Sequence, residues 1–368
     1  MPSPKIIISG GGTGGHIFPA IAIAEAIKRA EPKAEFLFVG AKGRMEMERV
    51  PKAGYDIKGL WISGIQRSLT LKNLSFPFKL VSSLWHARKI VKSFNPDIAV
   101  GVGGYASGPL LKVASSMKIP SVIQEQNSYP GITNKLLAKS VNKICVAYDG
   151  MERWFPKNKI VLTGNPVREA VVDLEGKRQQ ASEFFGLNPE IPTLLVVGGS
   201  LGARTINHSI EKGLTDIHEK GYQLIWQTGK QFADQAKEAL EKIGTNSLKT
   251  LPFIDRMDYA YAMADVLISR AGAMSVSEIC LIAKPAILVP SPNVAEDHQT
   301  KNAKALADNN AAVLVRDKEA QDKLLREALA LLGAKEKRAE LSLNARKMAF
   351  PGASDEIARE VLNLIRKS

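Results

Sequence analysis

Residues 5–20 read KIIISGGGTGGHIFPA, a short apolar run followed by a glycine-rich loop. The run from Ile6 to Ser9 predicts a buried strand, and we expect a helix to start near Pro19. A strand, a glycine loop and a helix in this order are typical of phosphate-binding folds, because the loop exposes backbone N–H groups to an anion. The stretch therefore predicts an α/β fold whose first loop binds an anion and ends at His16.

The first loop also matches the dinucleotide-binding fingerprint, because Gly10, Gly12 and Gly15 satisfy G-x-G-x-x-G. The second predicted strand, residues 35–39, is followed by Gly40-Ala41-Lys42 and offers no acidic residue to a ribose. A plain tight turn is another interpretation, but one or two glycines would be enough for a turn. We therefore favour an anion-binding loop that does not hold a dinucleotide.

Short β-branched segments alternate with helical stretches along the chain, which is typical of parallel sheets covered by helices. The pattern restarts at TLLVVGGSLGA (193–203), which repeats the strand and glycine loop of the N-terminus. We predict two doubly wound, Rossmann-like domains, over residues 1–165 and 166–351, divided where Gly164-Asn165-Pro166 forms a turn after a strand. A last helix over 352–368 is expected to pack back on the first domain. The other predicted strands cover residues 98–102, 121–124, 143–146, 223–227, 266–269 and 286–289.

The composition is that of a folded globular protein, with 45% hydrophobic and 24% charged residues. A chain of 368 residues is expected to form two domains. No apolar run approaches the roughly 18 residues needed to span a bilayer, and the N-terminus lacks the pattern of a secretory signal, so we expect a cytoplasmic protein. Cys145 and Cys280 lie in apolar surroundings and are interpreted as buried residues without a chemical role.

The net charge of +13 is confined to the first part of the chain. Residues 1–165 contain 23 Lys and Arg against 10 Asp and Glu, and the remainder is neutral. Residues 57–96 are the most basic segment and contain no acidic residue. Such a stripe indicates nucleic acid, an anionic membrane surface or a solvated face. Nucleic acid is disfavoured, because aromatic residues are only 6% and no nucleic-acid motif is present.

Seven motifs in order closely resemble those of the MurG family of bacterial N-acetylglucosaminyltransferases. They are GGTGGHIFPA (11–20), GVGGYASGP (101–109), QEQN (124–127), GNPVR (164–168), GGSLGAR (198–204), FIDRM (253–257) and SRAGAMSVSEI (269–279). The resemblance covers nearly the whole chain. It implies a GT-B fold of two Rossmann-like domains separated by a cleft. It also implies inverting transfer of GlcNAc from UDP-GlcNAc to the N-acetylmuramic acid hydroxyl of lipid I, which forms lipid II in peptidoglycan synthesis.

By this resemblance, the two glycine loops of the first domain bind the diphosphate of lipid I. The residues implied for the acceptor are Gly12, Gly103, Gly104, Tyr105 and Ser107. Thr13, Gly14 and Gly15 in the first loop are implied to contact the donor as well. The partners implied are UDP-GlcNAc, lipid I, other cell-wall enzymes and the cytoplasmic face of the cell membrane.

The resemblance places UDP-GlcNAc on the second domain. Glu278 is implied to accept both ribose hydroxyls, and the first turn of the helix after Gly272 is implied to bind the UDP phosphates. The residues implied for that turn are Ala273, Met274, Ser275, Val276 and Ser277. Alternatively, the two serines cap the helix. Further donor contacts are implied for Arg168 and Ile254 at the base, Ser200 at the nucleotide and Gln299 at the GlcNAc hydroxyls.

Inverting transfer needs a base near the attacking hydroxyl and stabilised charge on the leaving phosphate. His16 is the candidate base, because its unperturbed pKa of about 6.5 suits neutral pH. The alternative is a histidine that hydrogen-bonds the start of a helix. Glu125 is a second candidate for the base, and Asn127 is implied to lie near the reacting centre. At position 124 this chain has Gln where other family members have His.

The sequence contains no Asp-x-Asp triplet, which a GT-A enzyme would need to hold a divalent ion on the diphosphate. We therefore expect no cofactor and no protein-bound metal, with the helix N-terminus supplying the charge stabilisation instead. A diacylglycerol glycosyltransferase is an alternative function, since it would share the fold and a membrane-bound acceptor. An NAD-dependent oxidoreductase would explain the first loop alone, and a non-catalytic sugar-nucleotide binder would not need both glycine loops.

The basic segment suits docking on a membrane that holds a lipid-linked acceptor. On a helix over residues 79–94, the face formed by Leu80, Leu84, Ala87, Val91 and Phe94 is interpreted as core. Trp85 falls on the basic flank, and two phenylalanines precede the helix in a loop that contains Pro77. The residues predicted to contact an anionic membrane without spanning it are Phe76, Phe78, Lys79, Trp85, Arg88 and Lys89. A solvated basic face is the alternative.

Overall fold

The computed structural model describes residues 3–63, 76–199, 202–294 and 297–366. The chain divides into two compact units. Unit 1 comprises Met1–Arg168 together with Gly352–Ser368, and unit 2 comprises Glu169–Pro351. The chain therefore leaves unit 1 after Arg168 and returns to it for its last helix.

Unit 1 is built on a parallel sheet. Its described strands are β1 (Lys5–Ser9), β2 (Glu35–Ala41), β3 (Ile57–Leu60), β4 (Ile98–Gly101), β5 (Ser121–Glu125), β6 (Lys143–Val146) and β7 (Ile160–Leu162). Their order is β3-β2-β1-β4-β5-β6-β7. The helices between them are α1 (Gly14–Ala30), α2 (Glu46–Lys52), α3 (Phe76–Phe94), α4 (Ser107–Ser116) and α5 (Ile132–Leu137). This is a doubly wound order whose direction of winding reverses between β1 and β4.

Unit 2 repeats this architecture. Its described strands are β8 (Thr193–Val197), β9 (Gln223–Gln227), β10 (Leu248–Leu251), β11 (Val266–Ser269), β12 (Ala286–Leu288) and β13 (Val313–Leu314), in the order β10-β9-β8-β11-β12-β13. Its helices are α6 (Glu169–Val172), α7 (Lys177–Phe185), α8 (Arg204–Lys212), α9 (Leu214–Glu219), α10 (Ala233–Ile243), α11 (Met257–Met263), α12 (Ala273–Ile282), α13 (His298–Ala307), α14 (Ala320–Gly333) and α15 (Lys335–Lys347). The winding reverses between β8 and β11, and the prediction of two Rossmann-like sheets is confirmed.

The strands missing from the sequence prediction lie at the edges of the two sheets. All nine predicted strands are present, whereas β3, β10 and β13 were not predicted and β7 was indicated only by the turn that follows it. Each of these four strands is the first or last in its sheet. An edge strand leaves one row of N–H and C=O groups open, and proteins protect such an edge with short strands and charged residues, here Lys58 in β3 and Lys249 in β10. Its apolar pattern is correspondingly weak.

The sheet of unit 1 buries apolar side chains on both faces. Ile7 belongs to the core on one face, while its neighbours Ile6 and Ile8 belong to the core on the other. Side chains alternate along a strand, so an unbroken apolar run is what a strand covered on both faces requires. The last helix, α16 (Ala353–Arg366), adds Ile357 and Val361 to the same core as Ile6 and α1. Its apolar stripe therefore packs within unit 1.

Helix α1 begins at Gly14, so the prediction of a start near Pro19 was wrong. The N–H groups of His16 and Ile17 both donate to the carbonyl of Thr13, at 3.1 and 3.2 Å. The helix is therefore formed before the proline is reached. Pro19 lies buried inside the helix and cannot donate to the carbonyl of Gly15 four residues earlier. His16 consequently lies in the first helical turn and not in the loop.

Helix α3 also begins earlier than predicted. Phe76 and Phe78 belong to its first turn and not to a preceding loop, because Pro77 is compatible with the start of a helix, where no N–H is needed. Phe76 packs against the core of unit 1 and is only partly exposed, so its prediction as an exposed membrane residue is not supported. The predicted core face is confirmed, with Ala87 and Val91 fully buried.

Candidate active site

The two glycine loops of unit 1 lie side by side because they follow adjacent strands at the reversal of winding. We call residues 10–13, after β1, loop 1, and residues 102–106, after β4, loop 2. Gly104 has a φ of +87°, and a Cβ on it would collide with the carbonyl oxygen of Gly11. Gly103 has a φ of +99°, and a Cβ on it would lie 2.6 Å from Cδ2 of His16. Gly104 therefore permits contact between the backbones of the two loops, and Gly103 leaves room for the imidazole of His16.

The imidazole of His16 is oriented by loop 1. Its Nδ1 lies 3.1 Å from the carbonyl oxygen of Gly11 and 3.5 Å from Oγ1 of Thr13. A carbonyl only accepts, so this contact places a proton on Nδ1 and leaves the Nε2 lone pair for a proton acceptor role. Burial lowers the pKa of His16, while the Gly11 carbonyl and the charge of Glu46 oppose that shift. The neutral form needed by a base is therefore favoured.

A buried carboxylate from α2 binds loop 1. The N–H of Gly12 donates to Oε2 of Glu46 at 2.8 Å, so it is not available to a substrate anion as predicted. The N–H groups that the N-terminus of α1 leaves unpaired belong to Gly14 and Gly15, after the extended Thr13. The backbone donors left open in this region therefore lie at the helix start and not at Gly12.

Two acceptor residues predicted in and after loop 2 differ in accessibility. Tyr105 is 46% exposed and lies beside Gly12 of loop 1. Ser107 is fully buried, with its Oγ packed against Gly101 at the end of β4. The hydroxyl of Ser107 is therefore not placed to contact a substrate, which corrects the predicted role. The reason is that Ser107 lies in the first turn of α4 and its side chain faces the sheet.

The carboxylate of Glu125 organises the segment after β5. It is 2% exposed and accepts from the N–H and Nδ2 of Asn127, at 3.0 and 3.3 Å. Its second oxygen accepts from the N–H of Gly131 at 3.1 Å and from Nδ2 of Asn134 at 2.8 Å. Burial raises the pKa of Glu125, and the four hydrogen bonds oppose that shift. Glu125 thus holds Asn127 in position, and its geometry favours a structural contribution over a direct role as base.

Gln124 belongs to a buried amide network. Its Nε2 donates to Oδ1 of Asn165 at 3.1 Å, and its Oε1 accepts from Nε2 of Gln126. Gln126 also donates to the carbonyl of Val102 in loop 2 at 2.7 Å. The motifs QEQN and GNPVR therefore meet in the interior, and their amides connect the ends of β5 and β7 to loop 2.

In unit 2, a three-residue loop joins the end of β11 to the start of helix α12. Gly272 is the extended residue before the helix, and its carbonyl accepts from the N–H of Val276 at 2.9 Å. Val276 is thus already paired, and the N–H groups that helix geometry leaves for an anion are those of Ala273, Met274 and Ser275. Ser277 donates its hydroxyl to the carbonyl of Ala273 at 3.0 Å, so it braces the first turn and does not cap it.

Glu278 lies in the second turn of α12 and is held by a tyrosine. The hydroxyl of Tyr261 in α11 donates to Oε2 of Glu278 at 2.6 Å. Tyr261 is 3% exposed, and its ring belongs to the core of unit 2. This contact fixes one carboxylate oxygen of Glu278.

The other predicted donor residues have the following positions. Gln299, in the first turn of α13, accepts from the N–H of Ser291 at 2.8 Å through its Oε1, which leaves its amide N–H groups as donors. Ile254 buries its side chain in the core of unit 2, and its backbone belongs to no strand or helix. Arg168 belongs to unit 1, where its guanidinium carbon lies 4.6 Å from the ring centroid of Phe18. Ser200 lies outside the described residues.

Helix α3 carries an exposed apolar face flanked by basic residues. Phe78, Val81 and Trp85 are 72%, 67% and 61% exposed, and their spacing places them on one side of the helix. Trp61, after β3, is 51% exposed, and Nζ of Lys79 lies over its ring, 5.8 Å from the ring centroid. We call these four apolar residues the α3 patch. Arg88 and Lys89 are exposed beside it.

No helix within the described parts of the chain combines the length and the apolar character needed to cross a membrane.

Two residues of the α3 patch, Val81 and Trp61, were missed by the sequence prediction. A helical plot of the segment already aligns Val81 with Phe78 and Trp85. The exposure of Trp61 depends on the tertiary structure.

Sequence reasoning also missed Glu46 and Tyr261. Both are buried polar groups whose partners lie 34 and 17 residues away. An acidic residue at a helix start and a tyrosine in an apolar helix have ordinary structural explanations, so the sequence alone carries no signal for these contacts.

Comparison with known proteins identifies the family. The N-terminal and C-terminal domain models of glycosyltransferase family 28 match residues 6–146 and 193–357. A UDP-N-acetylglucosamine--N-acetylmuramyl-(pentapeptide) pyrophosphoryl-undecaprenol N-acetylglucosamine transferase from Cytophaga hutchinsonii is 55% identical, over 99% of this chain and 99% of its own length. The protein of the same name from Phocaeicola vulgatus is 58% identical, over 99% of this chain and 97% of its own length.

A solved structure agrees with this assignment. The crystal structure of MurG from Acinetobacter baumannii superposes with a TM-score of 0.75 at 27% identity, over 98% of this chain and all of that one. The GT-B fold and the family expected from the seven motifs are confirmed. The chain belongs to glycosyltransferase family 28 and, within it, to the UDP-N-acetylglucosamine--N-acetylmuramyl-(pentapeptide) pyrophosphoryl-undecaprenol N-acetylglucosamine transferases.

Proposed function

We propose that this chain transfers GlcNAc from UDP-GlcNAc to the N-acetylmuramic acid hydroxyl of lipid I and so forms lipid II. The observation that carries the proposal is the full-length identity of 55% to a transferase named for this reaction. The sites at the winding reversals of both units support it. An NAD-dependent oxidoreductase is set aside, because both halves of the chain match glycosyltransferase domains.

The donor is proposed to bind unit 2 at the reversal of winding between β8 and β11. The unpaired N–H groups of Ala273, Met274 and Ser275 suit a diphosphate at a helix N-terminus. Glu278, one turn further along α12, is proposed to accept the ribose hydroxyls. The amide donors of Gln299 are proposed to face the GlcNAc hydroxyls, since its oxygen is held by Ser291.

The acceptor is proposed to bind unit 1 beside loops 1 and 2. The helix start at Thr13, Gly14 and Gly15 supplies N–H groups for a phosphate, and the exposed ring of Tyr105 forms one side of this site. His16 is proposed to take the proton of the attacking hydroxyl on Nε2 as the bond to the anomeric carbon forms and UDP departs. Asn127, held by Glu125, is proposed to position the reacting groups.

The proposal is tested with purified protein, radiolabelled UDP-GlcNAc and a soluble lipid I analogue. We expect label to appear in a product of lipid II structure. Diacylglycerol in mixed micelles is the competing acceptor, since a diacylglycerol glycosyltransferase of the same fold would label it instead. Labelling of diacylglycerol without labelling of the lipid I analogue would overturn the proposed acceptor.

We propose further that transfer does not depend on a protein-bound metal. With the diphosphate bound at the start of α12, the backbone N–H groups there would stabilise the charge that develops on the leaving group, and such preorganised donors need no divalent ion. The rate of transfer is therefore expected to persist in excess EDTA. The measurement is the radiolabel assay with and without chelator, with added Mg²⁺ as the reference. Complete loss of activity that only a divalent ion reverses would contradict this expectation.

The α3 patch is proposed to dock unit 1 on the cytoplasmic face of an anionic membrane. Phe78, Val81 and Trp85 would insert among acyl chains and headgroups, while Arg88 and Lys89 would face lipid phosphates. Each basic side chain near an anionic surface contributes about 1 kcal/mol. This arrangement suits an enzyme whose acceptor is anchored in the bilayer.

Replacing Phe78 and Trp85 together with serine is expected to weaken vesicle binding by roughly tenfold or more, because two exposed aromatic side chains lose their burial in lipid. The measurement is co-sedimentation with vesicles of increasing phosphatidylglycerol content. The matched control replaces Leu343 and Phe350 with serine, since both are exposed apolar residues of unit 2. Binding that is insensitive to anionic lipid, or equally reduced in both variants, would refute the docking surface.

A further inference from the structure

Glu46 is a fully buried carboxylate placed against loop 1. It is 1% exposed and begins α2, whose N-terminus favours a negative charge. One oxygen accepts from the N–H of Ala41 at 2.9 Å, and the other accepts from the N–H of Gly12 at 2.8 Å. A Cβ on Gly11 or on Gly40 would collide with this side chain. Two glycines therefore make the space in which the carboxylate reaches the loop.

The bond from Gly12 continues to His16 through a single peptide group. The N–H of Gly12 and the carbonyl of Gly11 belong to the same planar, conjugated amide. The N–H side donates to Glu46, and the carbonyl side accepts from Nδ1 of His16 at 3.1 Å. The three groups form a continuous chain of carboxylate, peptide and imidazole.

Such a chain is cooperative. A carboxylate that accepts from an amide N–H polarises the amide and makes its carbonyl oxygen a stronger acceptor, by about 10–30% per bond in condensed-phase estimates. The stronger carbonyl holds the proton on Nδ1 and stabilises the imidazolium that forms when Nε2 takes a proton. The peptide N–H keeps its hydrogen throughout, so no proton moves along the chain.

We propose that Glu46 is a positioning residue for the transfer reaction, which sets the tautomer and the basicity of His16 through the peptide between Gly11 and Gly12. The inference rests on the proposed role of His16 as the base. It assigns a functional contribution to a residue that contacts neither the imidazole nor the substrate sites directly.

The groups around the imidazole define the expected pH dependence. Glu46 approaches from α2, and its negative charge raises the pKa of His16 against the lowering by burial. From loop 2, Gly103 packs against the ring, and the titratable group is Tyr105, beside Gly12. Removing the charge of Glu46 should therefore lower the pKa of His16 further. A base of lower pKa is also a weaker base.

The test compares Glu46→Gln with the wild-type protein over the pH profile of kcat/KM. The acid limb reports the pKa of the base in the free enzyme, so it should move to lower pH in the variant. The plateau should fall by about 10- to 100-fold, which is less than the roughly 100- to 10,000-fold that loss of the general base itself would cost. Glu48→Gln is the matched control, because it removes the same charge from an exposed position of α2. Its profile should equal that of the wild type.

A second measurement uses the wild-type protein alone, so it depends neither on the folding of the variant nor on a substrate. Nitrogen-15 NMR of the wild-type imidazole should show His16 neutral with hydrogen on Nδ1 near neutral pH. Hydrogen on Nε2, or an acid limb that Glu46→Gln leaves unmoved, would overturn the inference. If the wild-type protein does not transfer GlcNAc, the proposed function fails, while the tautomer still reports on the chain from Glu46 to His16.

Discussion

Replacing His16 with alanine is expected to lower kcat by roughly 100- to 10,000-fold, the contribution of a well-placed general base. The fold should remain intact, because alanine is the best helix former and the ring packs against the backbone of Gly103 instead of filling a core position. The loss should fall on kcat more than on KM, since Nε2 acts on the hydroxyl proton in the transition state. The measurement is steady-state kinetics with both substrates, together with thermal unfolding.

The matched control for this variant is His218→Ala. His218 lies exposed in the last turn of α9 in unit 2 and belongs to neither candidate site. Its removal should leave kcat, KM and the unfolding temperature at wild-type values. Near-normal turnover by the His16 variant with purified substrates would exclude His16 as the base and would leave Glu125 as the other candidate.

Replacing Gly104 with alanine is expected to disrupt the contact between loops 1 and 2. The φ of +87° disfavours any residue with a Cβ by about 1–2 kcal/mol, and the collision with Gly11 adds about 1–3 kcal/mol of overpacking. Loop 1 should shift, and a displacement of about 1 Å at the reacting groups can cost 100-fold in rate. The free energy of unfolding and kcat/KM should therefore both fall, as measured by denaturant titration and the radiolabel assay.

Gly54→Ala provides the matched control for this backbone effect. Gly54 has a similar φ of +83°, and no described atom lies within 4 Å of an added Cβ. The variant should lose only about 1–2 kcal/mol of stability from the backbone conformation, and kcat/KM should be unchanged. Equal destabilisation at Gly54 and Gly104 with unchanged activity at both would show that the close approach of the loops has no functional consequence.

The central strands and both doubly wound sheets could be predicted from the sequence, because a strand covered on both faces must be continuously apolar. The edge strands β3, β10 and β13 could not, since one open edge relaxes that requirement. The start of α1 was misplaced because proline is favourable in a first turn and Pro19 was taken to mark it, whereas the helix has already begun at Gly14. The core face of α3 was predicted correctly from the spacing of its apolar residues. Pro77 was placed in a loop before this helix, whereas proline is favourable in a first turn and Pro77 lies in the first turn of α3.

Some features of the candidate site could likewise be predicted from the sequence, and others could not. The glycine loops, His16 and the start of α12 are contiguous in sequence with their strands, and local order alone indicates their chemistry. The roles of Gly12 and Ser107 were misjudged, because a backbone N–H or a hydroxyl is available to a ligand only if no neighbour already holds or covers it. In this protein the neighbour of Gly12 is Glu46.

Apolar periodicity, glycine spacing and motif order are properties of the chain alone, and they were enough to predict the two parallel sheets, the loops at their winding reversals and the family. Which polar groups meet depends on the folded arrangement. It brought Glu46 to the peptide after Gly11, Tyr261 to Glu278, and Glu125 to Asn127 and Asn134. The physical reason is that a buried polar atom must find a partner, and folding selects that partner by distance in space and not by separation along the chain.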